Sequence, residues 1–381
     1  MHVAVGHGEA AETEDAARSA LGQALDRLGV TAPRAVIVFT GVGVDPRAVL
    51  DLVAARLPGV PLVGGTTTAE LSRQLGPAEC SVLIVIFAGE GLEAGAGLGR
   101  DTDVERAVTQ AASGMRSAAK LCICFASGVA HRHGHVARTL TARLGPDVLV
   151  VGAGTSDEVG AGDMQPKEFF GDEVVEGSVT VLLLGGNLRA AHGIALGWTP
   201  VGETHVATKV VGDQLLVELD GRPAAEVFQE CLGGAGGSGV NFVHHPLAVE
   251  VEGGTLLRGA VTAGPVPGSS LLAGDIREGA RLRFCEFDRG ALLASSREAA
   301  LGALTAWQGP PPTAALVFEC LTRWTVLGTS VRRAVQVLEE ALPPETTLAG
   351  AYVGGEIAPF RAGQAAHAHN CSVVVVLVGP A

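Results

Sequence analysis

PLVGGTTTAE (61–70), LVVGAGTSDE (149–158) and TLAGAYVGGE (347–356) follow one pattern: an apolar strand, a glycine, small residues, then a glutamate. The paired positions are Gly64 and Glu70, Gly152 and Glu158, Gly350 and Glu356. Ahead of each lies a second apolar run: AVIVFTG (35–41), LCICFASG (121–128) and ALVFECLTR (315–323). Behind each lies a strand opening with Ser-Val, at Ser81, Ser178 and Ser372, with gaps of 97 and 194 residues. The second gap is twice the first, which marks an internally repeated architecture. Further upstream each copy has one more strand and helix: HVAVGHG (2–8), LEAGAGLG (92–99) and LRFCEFD (282–288) before helical patterns at 14–29, 101–115 and 295–307. The unit reads β-α-β-α-β-β over about 95 residues. The expected fold is α/β, three such units forming layered mixed sheets.

The rest of the chain is consistent with that reading. Asp45-Pro46 supplies an N-cap and first-turn pair for a crossover helix with Val49, Leu52, Val53 and Leu57 inward. Val331, Val335, Leu338 and Leu342 mark one face of the corresponding helix in the third copy. Between copies two and three, residues 188–280 have a different texture, with strand candidates, a turn at Asp220-Gly221 and one helix from Pro223 to about Leu232. This segment is either an antiparallel hairpin-rich module or a diverged fourth copy. Two domains are expected, 1–189 holding two repeats, and 190–381 holding the strand-rich segment 190–280 with a third repeat at 281–381.

Composition narrows the function. The net charge is −13 and only Lys120, Lys167 and Lys209 are lysines, which disfavours phosphate-backbone binding. Mean hydropathy is +0.34, yet the longest apolar runs are strand-length, short of the roughly 20 residues a spanning helix needs. The N-terminus turns acidic without a basic stretch, so a cytoplasmic protein without membrane insertion is expected. Seven cysteines, mostly on apolar strands, read as buried thiols, including Cys122 and Cys124 on one strand face.

GDQLLVELDGRPAAEVFQECLG (212–233), NFVHHPLAVEV (241–251), GDIREG (274–279), FECLTR (318–323), GAYVGGEIAP (350–359) and HNCSVVVVLV (369–378) occur in that order. The series resembles the FIST C-terminal domain, and LPGVPLVGGTTTAEL (57–71) with CSVLIVIF (80–87) resembles the FIST N-terminal domain. The resemblance implies a sensory module of intracellular signal transduction that binds a small ligand such as an amino acid or small carboxylate. Some members of the family are haem-binding nitric-oxide sensors that act on a kinase. The chain ends two residues after its last strand, so signalling is expected to run through a separate partner such as a histidine kinase.

Parallel strands joined by a crossover end on one edge, where ligands prefer to bind. That edge collects Thr66, Glu70, Thr155 and Asp157 from the first two copies, and Thr322, Arg323, Tyr352 and Glu356 from the third. Arg323 can pair with a carboxylate, Glu356 can take an ammonium, and Tyr352, the single tyrosine, can supply a face and a hydroxyl. On this reading Arg323→Ala loses ligand binding and keeps the fold. The plain alternative makes the repeated glutamates turn or cap residues. His131, His133 and His135 could face one metal or ligate haem, against the plainer reading of a polar loop entering a helix. His244-His245 and His367/His369 invite the same two readings, with Asn370 expected to bond backbone. No metal or other cofactor is otherwise expected. Enzyme motifs (Gly-x-Ser-x-Gly, Walker A, HExxH) are missing from the sequence, so no catalytic residue is assigned, and a hydrolase or transferase built from dispersed residues is the remaining alternative.

Overall fold

The structure is a computed structural model that describes residues 1–128, 132–157, 165–232 and 244–381. The first unit runs β1 (His2–Glu9), α1 (Thr13–Leu28), β2 (Pro33–Thr40), α2 (Pro46–Arg56), β3 (Leu62–Thr66), a hairpin β4 (Ala69–Ser72) and β5 (Gly76–Ala78), then β6 (Ser81–Ala88). The second runs β7 (Leu92–Gly99), α3 (Val104–Ser113), β8 (Ala119–Ser127), α4 (His133–Leu144), β9 (Leu149–Thr155), the hairpin β10 (Glu168–Phe170) and β11 (Glu173–Val175), then β12 (Val179–Gly186).

The third unit opens with β13 (Arg189–Ala195) and is then interrupted. The inserted module comprises β14 (Trp198–Val211), β15 (Leu215–Leu219), β16 (Arg222–Pro223), α5 (Ala224–Cys231), β17 (Leu247–Val251), β18 (Gly254–Ala263), β19 (Ser270–Ala273) and β20 (Arg281–Phe287). The unit resumes with α6 (Arg289–Ala306), β21 (Ala314–Cys320), α7 (Leu321–Leu327), α8 (Val331–Ala341), β22 (Thr347–Val353), the hairpin β23 (Glu356–Pro359) and β24 (Ala366–His369), and β25 (Val373–Gly379).

The expected first strand of the third unit, within 281–287, is therefore reassigned. It pairs with β14 and β17 of the module, whereas β13 pairs with β25 as β1 pairs with β6. Both candidates are amphipathic strands of similar length, and only their partners separate them. The module itself is antiparallel: β14-β20-β17-β18-β19-β15 close into a barrel through the β14–β15 pairing. Closure removes exposed strand edges.

The three units are interlocked by their hairpins. β4 leaves the first unit to pair with β22 of the third, β10 leaves the second to pair with β3 of the first, and β23 leaves the third to pair with β9 of the second. Each sheet thus consists of four strands of one unit and a hairpin from another. Inner faces of all three sheets meet in one core, where Phe39, Phe125 and Phe318 sit at equivalent positions. Their rings make edge contacts at 5.4 and 6.1 Å between centroids. Outer faces are covered by helices, which is why β6 and β25 are buried along their whole length. The cap on α2 is as read: Asp45 accepts from the Arg47 N–H with Pro46 following. Val331, Val335, Leu338 and Leu342 are all buried against sheet three.

Candidate functional site

The glycine of the repeated pattern is demanded by backbone proximity. A Cβ on Gly64, Gly152 or Gly350 would lie 1.8, 2.1 or 2.1 Å from the carbonyl oxygen of Val38, Cys124 or Val317, its partner on the adjacent parallel strand. Four residues past each glycine the chain turns into the next unit. There Thr68 N–H donates to Tyr352 O, Ser156 N–H to Thr66 O and Gly354 N–H to Gly154 O, at 3.0, 2.9 and 2.8 Å. These bonds form a cyclic ring in which each unit holds the next. Thr68 and Ser156 also share a hydroxyl contact of 3.0 Å, and both are buried.

Just outside the ring lies a buried carboxyl from each exchanged hairpin. Glu70 lies opposite Ala351, Glu356 opposite Ala153 and Glu168 opposite Gly65, each one residue past the pattern glycine of the receiving strand. Glu168, and not Glu158, therefore occupies this position in the second unit. Glu158 lies outside the described residues, and the Gly152-to-Glu158 interval matches the other two by coincidence. Counting back from Ser178 by the Glu70-to-Ser81 spacing lands one residue from Glu168, and that was the available signal.

The Ser-Val anchors hold these carboxyls. Ser81 Oγ donates to Glu70 Oε2, Ser178 N–H to Glu168 Oε2 at 2.9 Å, and Ser372 Oγ to Glu356 Oε2. Thr67 Oγ1 donates to Glu70 Oε1, and Thr155 Oγ1 to Glu168 Oε1 at 2.7 Å. In the third unit Val353 replaces that threonine, and Glu356 Oε1 has no hydrogen-bond partner among the described residues. Burial pushes Glu70 up to about 8 and Glu168 up to about 7; burial and then Cys320 push Glu356 well above the usual range.

Raised folded-state values mean that the folded protein holds protons the unfolded chain releases, so stability falls as pH rises through that window. Burial lowers His7 to about 4, which acts in the opposite sense but only below its unfolded value of 6.5. Between about pH 6.5 and 8 the three raised carboxyls outweigh the single Cys320 thiol, which the hydrogen bond from Cys371 lowers to about 6 and which acts in the opposite sense. The melting temperature is expected to fall across that interval, and Glu70→Gln/Glu168→Gln is expected to flatten the slope. Scanning calorimetry at several pH values checks it; an unchanged slope removes these two groups as the cause.

Most of the residues expected at the strand-end edge are committed to the fold. Thr66 Oγ1 accepts from Lys167 N–H at 2.9 Å, and Asp157 Oδ2 from Gln165 N–H at 3.2 Å. Thr322 lies beside Cys320 and Cys371, where the hydrogen bond to Cys320 and burial push the Cys371 thiol well up. Arg323 requires a correction. It is fully buried, with Nε on Glu319 Oε1 at 2.6 Å and its terminal nitrogens on Leu196 O, Ser295 Oγ, Leu292 O and Ser296 Oγ at 2.9–3.0 Å. No donor is left for a ligand carboxylate. It ties α6, β21 and α7 together.

His133 and His135 do not converge, and His131 lies outside the described residues. His133 is buried with Nε2 3.1 Å from Ser127 O, whereas His135 is exposed. They sit two apart on α4, so they point to different faces, and the alternation expected of an extended chain does not apply. Among the described residues no three His, Cys, Asp or Glu side chains form a metal-binding group. His369 Nε2 contacts Ala358 O at 3.0 Å. Gly134, at the start of α4, packs under the Asp275 carboxylate of the GDIREG turn, which pairs with Arg138. The buried Arg258 reaches from β18 to Ala368 O at 3.0 Å, so barrel and repeats are clamped together.

Five buried side-chain atoms that make no hydrogen bond among the described residues belong to the third unit: Glu319 Oε2, Tyr352 OH, Glu356 Oε1, His369 Nδ1 and Asn370 Oδ1. Glu319 and Tyr352 are side by side in register on β21 and β22, and burial followed by the Glu319 carboxylate pushes the Tyr352 hydroxyl well up. Trp324 packs edge-on against Tyr352 with centroids 4.9 Å apart. Trp324 also lines a groove of ≈370 Å³, together with Glu9, Glu79, Cys80 and Arg332 among others.

The FIST N domain matches residues 34–222 and the FIST C domain residues 224–359. Two uncharacterized proteins of Mycobacterium tuberculosis, from strains CDC 1551 / Oshkosh and ATCC 25618 / H37Rv, are each 28% identical over 243 residues. The match takes in 60% of this chain and 61% of theirs. Among solved structures, cyanuric acid hydrolase from A. caulinodans covers 100% of this chain and 99% of its own, at 10% identity and a TM-score of 0.40. PurLQS from Thermotoga maritima covers 100% of this chain and 72% of its own, at 11% identity and a TM-score of 0.25.

Proposed function

The chain belongs to the FIST family, carrying both its N and C domains, and from that premise we propose that it is a sensor of small amines, amino acids among them, acting on a separate signalling partner. The ligand site is the third-unit cluster beside Trp324. The observation that carries this reading is the set of buried polar atoms without hydrogen-bond partners among the described residues. Glu319 Oε2 and Asn370 Oδ1 are acceptors, and the Glu356 carboxyl, protonated in the free protein, becomes one when it gives its proton to an incoming amine, whose ammonium then supplies three donors. Trp324 and Tyr352 offer ring faces that attract a cation, and Glu9 and Glu79 give the groove an acidic approach. With Arg323 occupied, recognition rests on the amine, and a simple carboxylate is not the ligand. The reading is non-enzymatic and needs no cofactor. No described helix is long and apolar enough to cross a membrane.

Thermal-shift screening with primary amines, amino acids, small carboxylates and haem tests the reading. Amines are expected to raise the melting temperature and to change Trp324 emission. Val353→Thr should supply the missing donor to Glu356, stabilising the free protein by about 1 kcal/mol and weakening the response to amines. A response confined to carboxylates or haem, or one unaltered by Val353→Thr, rejects this site.

A further inference from the structure

A second constellation lies on the barrel, outside the proposed amine site. Cys231, the last residue of α5, is exposed, and its Sγ is 3.7 Å from His205 Nε2 on β14. His205 Nδ1 is 2.7 Å from Asp220 Oδ2. The other oxygen, Asp220 Oδ1, accepts from Val206 N–H at 2.8 Å, and Asp220 N–H donates to Val206 O at 2.9 Å, so the carboxylate is fixed on both sides. The imidazole edge packs against the Phe284 ring at 5.7 Å between centroids. A carboxylate on Nδ1 keeps the proton there and leaves Nε2 to accept from the thiol, the arrangement of a nucleophile, a base and an orienting group.

We propose that Cys231, His205 and Asp220 form a nucleophilic thiol centre that acts on uncharged acyl esters. Burial, Glu230, Asp220 and Glu203 raise the Cys231 pKa and Arg222 only partly offsets them, so the thiol keeps its proton at rest. Activation is accordingly by proton transfer during attack, and those carboxylates repel anionic electrophiles. As Sγ bonds to the carbonyl carbon, the S–H proton moves to His205 Nε2. The C–O bond then breaks, and the imidazolium returns its proton to the leaving alcohol, leaving a thioester on Cys231. Water, deprotonated by the same imidazole, releases the carboxylic acid and restores the thiol. Cys231 and His205 are the catalytic residues; Asp220 is a positioning residue.

The full-length protein is treated with p-nitrophenyl acetate, and nitrophenol release and cysteine acetylation are followed, with the exposed Cys80 as internal reference. Cys231 should acetylate at least about tenfold faster than Cys80, the low end of what a general base contributes being larger still. Cys231→Ala should abolish the release, and His205→Ala should lower it at least tenfold with recovery on added imidazole. Asp220→Asn should lower the rate constant at unchanged half-saturating ester. Equal acetylation of the two thiols, or release that survives Cys231→Ala, overturns the proposal. An unchanged melting temperature verifies the fold of the same variants, and their amine response is read separately from ester cleavage, so the two readings stand or fall independently.

Discussion

Arg323→Ala is expected to cost about 3–5 kcal/mol of stability, the loss typical when one partner of a buried ion pair is removed. At roughly 2–4 °C per kcal/mol for a large domain, the melting temperature should fall by on the order of 10 °C. The reason is the inventory around the guanidinium. Its removal strands the Glu319 carboxylate in a site with no exposure, and leaves acceptors on α6 and at the end of β13 without their donor. Glu319→Leu/Arg323→Met should recover most of the loss, because replacing both partners leaves no unpaired charge. Thermal or urea unfolding of the two variants decides it. An Arg323→Ala protein with unaltered stability would return the residue to the ligand site.

Gly350→Ala is the second large effect, about 3 kcal/mol, at the upper end of overpacking costs. The added Cβ would stand 2.1 Å from Val317 O and 2.8 Å from Val317 C, and backbone cannot step aside as a side chain tip can. The strand β22 also receives β4 of the first unit, so displacement there loosens the interlock between units. Gly22→Ala serves as contrast. It lies in α1 with nothing within 4 Å of the added carbon, so it should stabilise by up to about 1 kcal/mol through helix propensity. Equal effects at the two glycines in chemical denaturation would reject the close-approach explanation.

The two residues differ in how far they could be read beforehand. Gly350 stood out because its equivalents recur at fixed spacing, and the cause, a parallel neighbour at contact distance, is the same in each unit. Arg323 has no equivalent, and an arginine at a strand end suits a ligand clamp as well as a buried tie. Its partners Leu196, Ser295 and Ser296 belong to β13 and α6, elements whose placement beside β21 leaves no mark in the local pattern. Glu168 was missed for a related reason. The second unit carries a longer excursion before its hairpin, and a nearby glutamate fell on the expected interval.

The sequence by itself determined that a β-α-β-α-β-β pattern recurs three times, which strands are covered on both sides, that Asp45 caps α2 and which edge the strand ends share, but not that β13 opens the third unit. Those properties follow from each residue's immediate neighbours, so periodicity and turn chemistry report them. Only the tertiary structure decided that the hairpins change places, that Glu168 completes the trio of buried carboxyls, that Val353 leaves Glu356 Oε1 without a hydrogen-bond partner among the described residues, and that Cys231, His205 and Asp220 meet. Each depends on register and loop length between positions far apart in the chain, and burial converts those distances into energy.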